Sequence, residues 1–105
     1  MIKVTIFMKE GVTVGFESTG HAPGASAGNN LICAAMSTIA FGTYYYIKYT
    51  TNAKCHAVIK DNAHIVKLLK PHHDAEVALE IFREEMEMLA ADSKESFDIF
   101  YKEVG

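Results

Sequence analysis

The stretch from Leu31 to Tyr49, LICAAMSTIAFGTYYYIKY, constrains the fold more than any other part of the sequence, because it is apolar on almost every side. A helix of that kind has to be covered over most of its circumference. The cover must come from a sheet on one side and a neighbouring helix or second subunit on the other. Small residues gather early in the stretch (Ala34, Ala35, Ser37) and tyrosines late. Asn30 is placed to cap the helix, which puts Leu31, Ile32 and Cys33 in its first turn.

The sheet is written on either side. Residues 2–8 alternate, with Ile2, Val4 and Ile6 on one face and Lys3 and Thr5 on the other. Residues 12–18 repeat the pattern through Val12, Val14 and Phe16, with Glu10-Gly11 as the turn of a hairpin. Residues 53–60 and 63–69 predict a second hairpin around Asp61-Asn62, with Ala57, Ile59, Ile65 and Val66 as core candidates and Pro71 as its end. From His73 to about Ala91, Val77, Ile81, Phe82, Met86 and Leu89 trace the stripe of an amphipathic helix. The aromatic-rich tail SFDIFYKEV suits a last strand better than a helix. The expected architecture is α+β with the order β-β-α-β-β-α-β: a mainly antiparallel sheet with both helices on one face. With 105 residues, the whole span 1–105 is expected to form one domain.

Charge and cysteine content narrow the partners. The net charge of −3 offers no basic excess to neutralise phosphates, so direct nucleic-acid binding is disfavoured. Two cysteines, Cys33 and Cys55, are no disulfide framework and fit a reducing compartment. Lys3 and Lys9 break the N-terminal apolar stretch, so it is not a signal peptide, and no run of about 18 apolar residues predicts a membrane span. A cytoplasmic protein is the expectation.

The informative region is Gly20 to Ser37. His21 lies in GHAPGASAGNN, a loop with three glycines, and Cys33 follows it by twelve residues. A thiolate is the nucleophilic form of cysteine. Helix N-terminal amides favour that anion, and an imidazole can take the thiol proton and return it to a leaving amine. First-turn amides can also hold a developing oxyanion. Ser37, four residues after Cys33, shares its helix face and can orient the histidine or a substrate. A long glycine-bearing loop can close over a bound peptide. The plainer reading of the same residues is a small packing cysteine and a surface histidine.

Gly20-His21-Ala22, then Gly28, then Leu31-Ile32-Cys33-Ala34-Ala35-Met36-Ser37 resemble the signature of the Prp family of ribosomal-processing cysteine proteases. The motif covers about 18 residues, and length and element order agree over the whole chain. The resemblance implies a His21–Cys33 dyad, supported by Asn30 and Ser37. It implies a mobile substrate loop containing Gly20, Ala22, Gly24 and Gly28, and a homodimer. It implies no metal or cofactor. The implied substrate is a short hydrophobic N-terminal extension, with paired phenylalanines, on large-subunit ribosomal protein number twenty-seven. One position departs: the family usually has Asp where this chain has Asn30. Asn keeps the capping ability but brings no negative charge to an imidazolium.

Two other functions fit the sequence less well. One is a non-catalytic ribosome-assembly or adaptor module on the same fold, its dyad decayed through Asn30. The other is a thiol enzyme acting on small molecules. Cys55-His56 sits in a strand, so its two side chains face opposite ways and cannot share an ion. His72-His73-Asp74 reads as a polar helix start rather than a metal site.

Overall fold

A computed structural model describes residues 1–20, 27–60, 63–93 and 97–105, with the side chains of residues 27–30 outside the description. Five strands and two helices follow in the order expected: β1 (Ile2–Lys9), β2 (Val12–Thr19), α1 (Ala27–Tyr45), β3 (Cys55–Lys60), β4 (Ala63–Leu68), α2 (His73–Asp92) and β5 (Phe97–Glu103). A π-helical turn, Tyr46–Thr50, prolongs α1. The strands lie in the order β3-β4-β2-β1-β5. Pairing is antiparallel except between β1 and β5, which run parallel.

The first hairpin turns where the sequence predicts. Glu10 (φ 51°) and Gly11 (φ 81°) both take the left-handed conformation. That pair of values suits a two-residue hairpin, whose twist then matches that of its strands. The alternation of β1 is kept throughout: Ile2, Val4 and Ile6 are fully buried. In β2 it is not. Phe7 pairs with Gly15 and Met8 with Thr13, so Val14 is an extra residue in the ladder. This bulge reverses the facing of everything before it. Phe16 and Ser18 point under the helices as alternation requires, but Thr13 replaces Val12 on that face and Val12 is left exposed.

Both helices cover one face of the sheet. Met36 and Ala40 of α1 and Leu79, Phe82 and Met86 of α2 close over the inner residues of β1, β2 and β4 in one core. Phe82 stacks on Phe16 at 3.8 Å between ring centroids. The buried stripe of α2 keeps the predicted Phe82 and Met86, with Leu89 packed against the core, but runs through Ala75 and Leu79, because Val77 and Ile81 turn outward. They line a groove with Ile39, Gly42, Thr43 and Tyr46 of the other helix segment. Within the single chain, α1 and the π-helical turn are not covered all round: Leu31, Phe41, Tyr45 and Tyr49 are exposed on the outer side, the side for which the sequence predicts a neighbouring helix or a second subunit. In β4 the inward residues are His64 and Val66, and Ile65 takes the opposite face. The predicted Asp61-Asn62 turn lies outside the described residues.

A polar chain ties the layers together. Thr13 Oγ1 donates to Glu80 Oε2 at 2.8 Å. Arg83 bridges Glu80 and Glu87, and the Tyr101 hydroxyl of β5 donates to Glu87. The Arg83 guanidinium holds the Glu80 carboxyl below the usual carboxylate range, and the bond to Glu80 in turn strengthens the arginine as a base. The start of α2 is also secured. His72 is its N-cap, its Nδ1 accepting from the Ala75 amide at 3.2 Å, while Glu76 accepts from the His72 amide at 2.9 Å. The two bonds resemble a capping box, with an imidazole in the usual Ser or Thr role and the glutamate one position later than usual.

Candidate active site

Gly20 closes β2 and is the last described residue before His21. Its φ of +89° is open to glycine and strained for other residues, and a Cβ there would lie 2.3 Å from the carbonyl oxygen of Met1. Two independent features therefore require glycine at the point where the chain leaves the sheet toward the histidine. His21, Ala22 and Gly24 lie outside the described residues.

Helix α1 begins at Ala27, before the predicted start, and this changes the environment of Cys33. Asn30 is the fourth helical residue instead of the cap, Gly28 lies in the first turn, and Cys33 falls in the second. The unpaired amides of a helix belong to its first turn. The amide of Cys33 therefore goes into the helix's own hydrogen bonding, and the expected support from its neighbouring amides is not available there. The helix dipole, which fades within the first turn, also acts more weakly on the sulfur than predicted.

Cys33 sits at a boundary. It is half-buried and packs with Ile32 against the core, while Leu31 and Ala34 beside it are exposed. Met36 and Ala40, three and seven residues on, continue the buried side of the helix. Ser37 is half-buried one turn after Cys33, on the face the sequence assigned to it. The arrangement gives a thiol rooted in packed structure yet near solvent. Cys55 differs: it lies on β3 and packs against the same core, with His56 exposed on the other face, as strand alternation requires.

The structure adds a histidine, His64, that no motif in the sequence marks. His64 is 2% exposed, and its Nδ1 lies 3.0 Å from Ser18 Oγ, its cross-strand partner. Its ring and that of Phe41 of α1 meet in a T-shaped arrangement with centroids 5.2 Å apart. Burial lowers its pKa below the ordinary histidine value, which keeps the ring neutral. Its Nε2 is buried and finds no hydrogen-bond partner among the described residues. The alternation of AHIVKL was the available signal, since it puts His64 on the same face as Val66.

The family model for the cysteine protease Prp matches residues 1–98. The chain belongs to the cysteine protease Prp family. Solved structures agree in fold. The essential ribosomal processing protease Prp from S. aureus, crystallised with a substrate peptide, superposes with a TM-score of 0.86 at 20% identity, over 97% of this chain and 100% of that one. The same S. aureus protease with a covalently linked product peptide gives 0.86 at 21% identity, with the same coverage. A Streptococcus mutans protein gives 0.83 at 21% identity, over 99% of this chain and 96% of that one. No curated protein sequence matches. The Prp fold is thus a mixed, mostly antiparallel five-stranded sheet under two helices, as observed here. Among the described residues, no helix of this Prp-family chain is long and apolar enough to cross a membrane.

Proposed function

We propose that this chain is a cytoplasmic endopeptidase whose Cys33 and His21 form the catalytic dyad. Its substrate is the short hydrophobic N-terminal leader of large-subunit ribosomal protein number twenty-seven. The observation that carries the proposal is the position of Cys33, half-buried on α1 at the border between core and surface, in a chain matched over residues 1–98 by a cysteine protease family. The S. aureus relative with a covalently linked product peptide supports the same chemistry by analogy.

In this reading the His21 imidazole takes the proton from the Cys33 thiol, and the sulfur attacks the scissile carbonyl carbon. Collapse of the tetrahedral intermediate expels the leaving amine, which receives the proton from His21, and leaves a thioester. Water, deprotonated by the same imidazole, attacks the thioester and frees the carboxylate and the thiol. With Cys33 in the second turn of α1, more of the activation falls to His21 than to the helix. Ser37 and Asn30 position the dyad, and Gly20, Ala22, Gly24 and Gly28 belong to the segment that receives the substrate. The mechanism calls for no metal or cofactor.

The exposed Leu31, Phe41 and Tyr45 of α1 and Tyr49 of the π-helical turn, with Val77 and Ile81 of α2, form the apolar face on which a homodimer of this 1–105 domain assembles. Sedimentation of the purified chain measures that assembly.

The deciding experiment incubates the protein with a peptide carrying the leader and its cleavage site. Cleavage by the wild type, lost in Cys33→Ala and in His21→Ala, is the expected result. A folded wild-type protein that binds the peptide and leaves it intact would instead establish the non-catalytic adaptor.

A further inference from the structure

We propose that the face of the sheet not covered by the helices is a docking surface for single-stranded RNA. The net charge of −3 argued against any such partner, but the structure sorts the charges. Helix α2 alone holds seven acids and one arginine, so the rest of the chain carries nine lysines against six acids. Five of those lysines point to the uncovered face by strand alternation: Lys3, Lys9, Lys60, Lys67 and Lys102. All five are exposed.

The strand register arranges them in rows. One row crosses the sheet as Lys102, Phe7, Gly15, Lys67 and His56. Lys67 Nζ lies 4.4 Å from the centre of the Phe7 ring, which holds an ammonium over the middle of the row. The next row runs Phe100, Thr5, Glu17, Ile65 and Val58, and Phe100, on the edge strand, is 49% exposed. A third row contains Asp98, Lys3, Thr19 and Lys60. Successive rows are about 7 Å apart along the strands.

Lysines around an exposed aromatic ring on an open sheet form a surface on which phosphates are neutralised while a base stacks. An acidic peptide would use the cations and leave Phe100 idle. Glu17 and Asp98, set among the lysines, decide between the two kinds of strand. A ribose 2′-hydroxyl can donate to them, whereas deoxyribose presents no donor and leaves them facing the backbone.

Fluorescence anisotropy with a labelled twelve-nucleotide RNA of mixed sequence tests the proposal on the intact chain. Binding tighter than about 100 µM at low salt is expected. With about four phosphates neutralised, affinity should fall about 50-fold between 50 and 200 mM salt. Lys60→Glu combined with Lys102→Glu should abolish binding while leaving the melting temperature in place. Phe100→Ala should weaken it at least about fivefold. Lys48→Glu, on the helix side, should leave it unchanged. The proposal is overturned if no binding is seen at low salt or if Lys48→Glu is as damaging as the sheet variants. It is equally overturned if DNA of the same sequence binds as well, or if polyglutamate competes fully and Phe100→Ala has no effect.

Discussion

Replacing Gly20 by alanine tests the construction of the site where geometry is most explicit. The residue has φ +89°, and alanine there costs about 1–3 kcal/mol in backbone strain. The added Cβ would also meet Met1 O at 2.3 Å, Met1 C at 3.3 Å and Ile2 Cα at 3.7 Å, all backbone atoms that no rotamer change can move aside. Relief requires shifting the entry of β1, where Ile2 is fully buried and pairs with Phe97. Overpacking of that kind costs about 1–3 kcal/mol more. The sum, about 2–6 kcal/mol, is a large share of a small domain's stability. At roughly 4–8 °C per kcal/mol, even the lower bound predicts a melting temperature about 8–16 °C below wild type. Thermal unfolding followed by circular dichroism measures it, with Gly42→Ala as the control. An added Cβ at Gly42 meets none of the described residues within 4 Å, and alanine favours the helix by about 1 kcal/mol. A Gly20→Ala protein that melts within about 2 °C of wild type would refute the account of how the chain leaves the sheet.

Three further outcomes follow from the structure. Restoring the family's acid with Asn30→Asp should raise the kcat/KM of leader-peptide cleavage, and an unchanged or lower value would remove Asn30 from the dyad's support. Thr13→Val keeps the shape of a buried residue but removes its bond to Glu80, which should cost about 1 kcal/mol, a loss that urea unfolding can detect. His64 resists protonation when folded and accepts a proton near pH 6.5 when unfolded, so the unfolded state binds more protons below that value. Stability should therefore fall as pH drops below 6.5, and melting curves of His64→Gln should lack that limb; an identical fall in the variant would assign it to other groups.

Most of the fold was legible because its elements follow simple periods. The alternation of residues 2–8, the Glu10-Gly11 turn and the aromatic tail each led to the observed element. What escaped was set by other parts of the molecule. Which apolar residues of α2 are buried depends on where α1 lies, so Ala75 and Leu79 took the places given to Val77 and Ile81. The parallel pairing of β5 with β1 is a long-range choice that no local pattern encodes. Spacing placed Ser37 one turn after Cys33 on the same helix, as observed, but the start of α1 lies earlier than the sequence predicts. Asn30 is a strong capping residue, and local preference could not reveal that the helix already begins at Ala27. His64 was overlooked because a buried imidazole is defined by its cross-strand neighbour, Ser18.

The extra residue at Val14 has an effect beyond its own strand. A regular hairpin of alternating residues can slide by two positions and still present apolar side chains inward, so several alignments compete during folding. The interruption breaks that degeneracy. Any sliding would carry Thr13 away from Glu80 and bring the unmatched residue against a new partner. One irregular position thus selects a single alignment of β1 with β2, and with it the placement of Gly20 at the strand's far end.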